Sequence, residues 1–313
     1  MRSRHDSAHW GPNGYRCSVV CAVPEPSDLG SLPMNFRSSA TCVLVLSAHL
    51  LLLSACSDDG SPTAAESGDS SDEDIGLVAL GSLEDQGVRV TLHGPELLES
   101  GYTPFEVELT EVASGLAIER AVVQITPIMC LVTEMGEMNH GAPSEPPAQV
   151  ESDDGCFENP VVLIMPGDWQ LHVTFSEALG RAGSVTFNLD VVEGDQFARI
   201  VGDDGLSYFV ALVEPRRPAV GRHDFELAIF SQKSMMSFPA VTDLEIDMVP
   251  TMPAMGHGSP ENESPFHTDA GHYKGKVNFI MTGDWRLDLT LRRDQVTIAS
   301  TQFDLRVGKG PAR

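Results

Sequence analysis

Along most of the chain beyond residue 84, apolar and polar residues alternate with a period of two. In one stretch Phe105, Val107 and Leu109 alternate with Glu106 and Glu108; Val122–Ile125, Val161–Met165, Trp169–Phe175 and Val185–Val191 follow. Further on, Phe225, Leu227 and Ile229, then Leu244, Ile246 and Met248, then Trp285, Leu287, Leu289 and Leu291, and finally Phe303, Leu305 and Val307 keep the same rhythm. Successive side chains of a strand point to opposite faces, so this pattern predicts strands with one wet and one buried face. No long stretch has the 3.6-residue period of an amphipathic helix. Gly167-Asp168 and Gly283-Asp284 fill short gaps between apolar runs and predict hairpin turns. Trp169 and Trp285, just beyond those gaps, are expected to be structural, packing the core.

The pattern occurs twice. Ile164–Leu171 and Ile280–Leu287 both read I-M-x-G-D-W-x-L, and Met135–Gly141 and Met252–Gly258 both read M-x-x-M-x-H-G. Two motifs in the same order at nearly the same offset predict an internal duplication. Each copy is long enough for a core of its own. The expected fold class is all-β: two tandem immunoglobulin-like β-sandwich domains over residues 84–200 and 205–309.

The preceding residues are of another kind. Residues 43–54 read VLVLSAHLLLLS, too short for an ordinary membrane span and suited to the core of a signal peptide. Arg37 stands before it, and Leu53-Ser54-Ala55-Cys56 closes it. This order resembles a bacterial lipoprotein signal over residues 34–55. The resemblance implies cleavage before Cys56 and lipidation of its thiol and new amino terminus. The membrane lipid is then a partner through the Cys56 acyl chains, since several chains anchor durably where one does not. Ser57 rather than Asp follows Cys56, which favours an outer membrane facing the periplasm or the cell surface. Residues 1–33 are expected to be a misassigned upstream extension, with a genuine cytosolic leader carrying the Cys17 and Cys21 pair as the alternative. Residues 56–83 are acidic and poor in apolar side chains, and predict a disordered tether.

With 45 acidic and 20 basic residues and a net charge of −25, the chain lacks the basic footprint that nucleic acid requires. No nucleophile elbow, phosphate-binding loop, dinucleotide fingerprint or H-E-x-x-H helix is present, and the chain is read as non-enzymatic. The candidate chemistry is instead a set of soft ligands. Met252, Met255 and His257 lie in a short segment broken by Pro253 and Gly256, and His267 and His272 follow a polar loop. Thioether and imidazole together suit the cuprous ion. The competing reading has the methionines filling gaps at the core edge and His257 exposed. Met135, Met138 and His140 form a weaker version in the first copy, whose next loop has no histidine. That copy carries Cys130 and Cys156 instead. In an oxidising compartment a disulfide between them is favoured and would contribute roughly 3 kcal/mol, with metal-binding thiolates or free thiols as alternatives.

The second copy resembles the YtkA-like domain family. The residues concerned are PTMPAMGHGS from Pro250, then Gly271-His272-Tyr273-Lys274-Gly275-Lys276-Val277-Asn278-Phe279, then Met281-Thr282-Gly283-Asp284-Trp285. The likeness covers most of residues 222–309. The first copy is divergent, with Cys156-Phe157 in place of the Tyr273 segment. The resemblance implies exported or membrane-tethered β-sandwich domains, some linked to copper handling. The resulting expectation is a membrane-anchored lipoprotein that binds copper through Met/His loop ligands, as an accessory or chaperone to an envelope copper protein. Its alternative is a structural or protein-binding envelope lipoprotein without metal.

Overall fold

The computed structural model describes residues 76–133, 136–146 and 150–309. The segment expected to be a signal peptide, Cys56 and Met135 lie outside them. The described residues all belong to one compact unit, Ser70–Arg313.

As the alternation predicts, the regular elements among the described residues are strands, and they form antiparallel sheets. The first half comprises β1 (Val78–Asp85), β2 (Val88–Gly94), β3 (Gly101–Thr103), β4 (Glu106–Glu111), β5 (Val122–Thr133), β6 (Gly136–Gly141), β7 (Cys156–Glu158), β8 (Val161–Leu163), β9 (Gly167–Ala178) and β10 (Arg181–Val191). The second comprises β11 (Phe197–Val201), β12 (Ser207–Glu214), β13 (Gly221–Ser231), β14 (Glu245–Met252), β15 (His257–Gly258), β16 (Glu263–Asp269), β17 (His272–Phe279), β18 (Gly283–Arg293) and β19 (Val296–Val307). Strand β1 begins inside the segment expected to be tether, and its pairing with β2 explains why so polar a stretch is ordered.

The two halves share a topology. In the first, one sheet runs β1-β2-β4-β7 and the other β10-β9-β5-β6; in the second, the sheets run β11-β12-β13-β17-β16 and β19-β18-β14-β15. Strand for strand these orders match, with β16 an addition at the edge. Register agrees as well: Val107 lies opposite Phe157 as Leu227 lies opposite Tyr273, and Gly167 opposite Val191 as Gly283 opposite Val307. The two-residue turns β1–β2, β9–β10, β16–β17 and β18–β19 have positive φ at both central residues. That conformation suits the twist of the flanking strands.

Each half has a core between its sheets. Val90, Leu92, Val107 and Phe157 meet Ile125, Trp169, Leu171 and Val173 in the first. Val210, Leu227, Tyr273 and Phe279 meet Ile246, Met248, Trp285, Leu287 and Phe303 in the second. Trp169 and Trp285 are each 1% exposed and donate Nε1–H to Met165 O and Met281 O, both at 3.0 Å.

The Gly-Asp segments are not hairpin turns. β8 and β9 belong to different sheets, as do β17 and β18, so each G-D-W segment carries the chain from one sheet to the other. Gly167 and Gly283 have φ of 125° and 132°, which glycine adopts freely. A Cβ at Gly283 would also come within 2.6 Å of Met252 Cε, a flexible side-chain end that can move aside, so the positive φ is what calls for glycine there.

β12 is buried on both faces. Tyr208, Val210 and Leu212 enter the second core, while Phe209, Ala211 and Val213 enter the first. The first core therefore runs on over the outer face of the second half's sheet, and the halves share an apolar junction.

Candidate functional site

The soft-ligand set is not brought together. Met252 ends β14, 5% exposed in the second core, and pairs with His257 across a tight turn in which Met255 N and Gly256 N donate to Met252 O at 3.0 and 2.9 Å. Met255 sits at the turn's tip, 61% exposed. His257 bonds through Nδ1 to Gly258 O at 3.0 Å and lies edge-on to Trp285, with ring centroids 6.1 Å apart. His267 on β16 lies opposite Tyr273 and packs against its ring at 5.4 Å. His272 precedes Tyr273 on β17 and, by strand alternation, faces the other way. Among the described residues no three His, Cys, Asp or Glu side chains gather as metal ligands. The copper expectation is therefore overturned: strand geometry sends one thioether into the core, one into solvent and the imidazoles to opposite faces.

The first half departs from its motif in a related way. His140 pairs with Met129, as His257 pairs with Met252. The structural counterpart of Met252 is thus Met129, and the β5–β6 hairpin is simply longer than β14–β15. Met138 is exposed, whereas His140 is 5% exposed with Nδ1 bonded to Gly141 O at 2.7 Å. The repeat Pro127-x-Met129 and Pro250-x-Met252 was the readable signal for this alignment.

The bridge between Cys130 and Cys156 is not formed, and Cys156 is a free thiol. Cys130 lies on β5, opposite Asn139, and Cys156 on β7, opposite Glu108, so the two belong to different sheets. Burial, then the charges of Asp154, Glu108 and Glu106, push the Cys156 thiol up to about 11. Because the thiolate is the nucleophile, alkylation of Cys156 at pH 7 is expected to be much slower in the native chain than in the unfolded one. Peptide-level mass spectrometry checks this; equal rates would contradict the assignment.

The densest polar chemistry lies at the junction, which no motif or periodicity pointed to. His272 donates from Nδ1 to Glu226 Oε1 at 2.6 Å and from Nε2 to Glu145 Oε1 at 2.7 Å. Glu145 comes from the first half and Glu226 from β13. The His272, Glu145 and Glu226 side chains are only 11%, 18% and 17% exposed. Burial alone would lower the imidazolium pKa, but the hydrogen bonds and charges of the two carboxylates outweigh it and raise it to about 9. Burial raises the Glu226 carboxyl, yet His272 and Lys274, the latter 3.3 Å away, bring it below its usual value. Tyr102, from the first half, meets the imidazole edge-on at 5.8 Å. Its phenol is held well above its usual range by burial, then by the charge and hydrogen bond of Glu145. Arg216 stacks on Tyr102 at 5.6 Å and donates Nη2–H to Tyr102 O at 3.1 Å. In this arrangement the carboxylates Glu145, Glu226 and Glu214 meet the cations His272, Lys274 and Arg216 along a seam between halves. Its hydrogen bonds and ion pairs tie the two halves together. The register places Cys156 where the second half has His272, so the first half has no such centre.

Comparison with known proteins gives a partial likeness. The profile of the YtkA-like family matches residues 206–290, the core of the second half. No protein of curated function matches the sequence. Among solved structures, a conserved domain protein from Bacillus anthracis aligns over 73% of this chain and 90% of its own, at 11% identity and a TM-score of 0.30. The Escherichia coli adhesin FdeC aligns over 74% and 82%, at 13% and 0.25. Domains 5-6 of the S-layer protein SbsC align over 75% and 100%, at 12% and 0.29.

Proposed function

We propose that the chain is an exported, lipid-anchored envelope protein built of two tandem YtkA-like, immunoglobulin-like β-sandwich copies, and that it serves as a structural or protein-binding module. The observation that carries the reading is the junction: two halves of matching topology, each with its own core, are joined by an apolar face and an ionic clamp, which makes a rigid presenting scaffold. Rigid elements hold a binding surface with little ordering cost on association. The protein acts by contact, without a catalytic step. Matched strand order and register support the duplication, and the Leu53-Ser54-Ala55-Cys56 sequence supports the anchor, with the outer membrane the favoured destination.

Two measurements in the native host test this. Cys56→Ala is expected to abolish incorporation of labelled fatty acid and to release the protein from membranes; retention unchanged by the substitution contradicts the anchor. Amine cross-linking of intact cells is expected to give a discrete heavier adduct of the anchored chain. Its absence across a range of cross-linker lengths contradicts the protein-binding role.

A further inference from the structure

The two halves present the same end to their surroundings, but only one of these ends is covered. In the first half, Gly141 N donates to Met235 O of the β13–β14 loop at 2.8 Å, Met236 packs against Gly141, and Phe238 lies against His140 at 5.8 Å. The outer sheet face Phe209, Ala211, Val213, Ala228 and Phe230 completes the cover. In the second half the corresponding residues stand open. Ile164 is 5% exposed and its counterpart Ile280 45%; Met281 is 38% exposed and Met255 61%. His257 is half-buried where His140 is buried, and Gly258 exposed where Gly141 is buried. Solvent-exposed apolar residues grouped on a framework that is covered in the other half mark an interaction surface rather than scattered surface apolars. Here the framework already shows what such an end takes.

We propose that the open end of the second half, formed by Met255, His257, Ile280 and Met281, docks the apolar outer face of a β-sheet in another protein, as the first half docks the second. This deepens the protein-binding reading and rests on it. A second copy of the chain does not supply the partner face. The pairs that are Phe209–Phe230 and Ala211–Ala228 in the second half are Arg89–Thr110 and Thr91–Glu108 in the first. A charged outer face cannot replace an apolar one without leaving buried charge unpaired. The first half thus closes the array at its own outer face, and the second leaves it open to a partner whose sheet face carries aromatic, alanine and valine side chains.

The test supplies that face in a known form. Residues 192–307 are repeated directly after Val307, which by register corresponds to Val191, so the added copy follows the second half as the second follows the first. Amide hydrogen exchange of segments 252–258 and 279–284 in the natural second half, isotopically labelled apart from the added copy, is expected to slow about tenfold or more relative to the natural chain. Introducing Met255→Asp with Ile280→Asp is expected to restore the original rate while leaving exchange in β12 and β13 of the natural halves unchanged. Exchange that the added copy does not alter overturns the proposal. So does an added copy that stays unfolded beside folded natural halves, because its apolar face has then found no cover. The cross-linking result in cells is read separately: an adduct formed there, without protection in the extended chain, keeps the binding role and discards this surface.

Discussion

A His272→Ala chain is expected to lose about 3 kcal/mol of folding stability, the cost of breaking a buried, hydrogen-bonded ionic pair. The substitution leaves Glu145 and Glu226 facing each other across the junction without the cation that both accept from. Lys274, whose side chain is 54% exposed, reaches only Glu226 and does not restore the bridge between halves. Its own truncation to alanine should cost well under about 1 kcal/mol. The pH dependence gives an independent readout. The folded pKa of His272, about 9, lies above the ordinary 6.5, so folding takes up a proton between those values. The contribution is complete below about pH 6.5 and is lost as pH rises through 9. Glu226 has the opposite sign: its depressed pKa contributes above the ordinary 4.5 and is lost as pH falls through its folded value. The clamp is therefore strongest between pH 4.5 and 6.5. Urea unfolding at a series of pH values tests this. An alkaline loss of stability that persists unchanged in His272→Ala, or a midpoint that does not move at pH 6, would remove the clamp from the account.

Trp285→Ala is expected to cost about 3–5 kcal/mol, as truncation of a fully buried tryptophan does. The ring fills the second core where β18 enters from the sheet crossover, edge-on to Phe279 at 5.5 Å and to His257 at 6.1 Å. Its indole also satisfies Met281 O at 3.0 Å, which fixes the crossover itself. Trp285→Phe keeps most of the apolar contact but leaves that carbonyl without its donor, a loss of about 1–3 kcal/mol. The order of midpoints in urea is thus natural chain, then phenylalanine, then alanine. A cost below 1 kcal/mol for alanine would mean that the tryptophan is not the plug between sheet and crossover that the packing indicates.

Much of the fold was legible because strands record their burial residue by residue. Trp285, Leu287, Leu289 and Leu291 alternate in sequence and all four are buried in the second core. The repeated I-M-x-G-D-W-x-L sequence likewise corresponds to the same crossover, glycine conformation and indole hydrogen bond in both halves. What the motif did not carry was the sheet to which each strand belongs. A Gly-Asp gap fits a hairpin or a crossover equally well, and only the hydrogen-bond partners of β8 and β17 separate the two.

The Met/His reading failed for a similar reason. M-x-x-M-x-H fixes spacing along the chain, but the side chains diverge once Met252 and His257 become cross-strand partners around a turn. Met135-x-x-Met138 then matches Met252-x-x-Met255 in letters and not in place, since the longer first hairpin sets Met129 opposite His140. Cys130 and Cys156 flank one loop in sequence yet stand on strands of different sheets.

The strands and their buried faces were set locally, because each depends on neighbours two residues apart. The apolar run Tyr208–Val213 was not among the strands read from the sequence, although such a run fits a strand covered on both sides. What covers β12 and what the histidines do depend on contacts between distant parts of the chain. Glu145 and His272 are 127 residues apart along the chain and 2.7 Å apart in space. Nothing periodic joins two such positions; they meet because the apolar outer face of one sheet needs cover, and the first half supplies it together with a carboxylate.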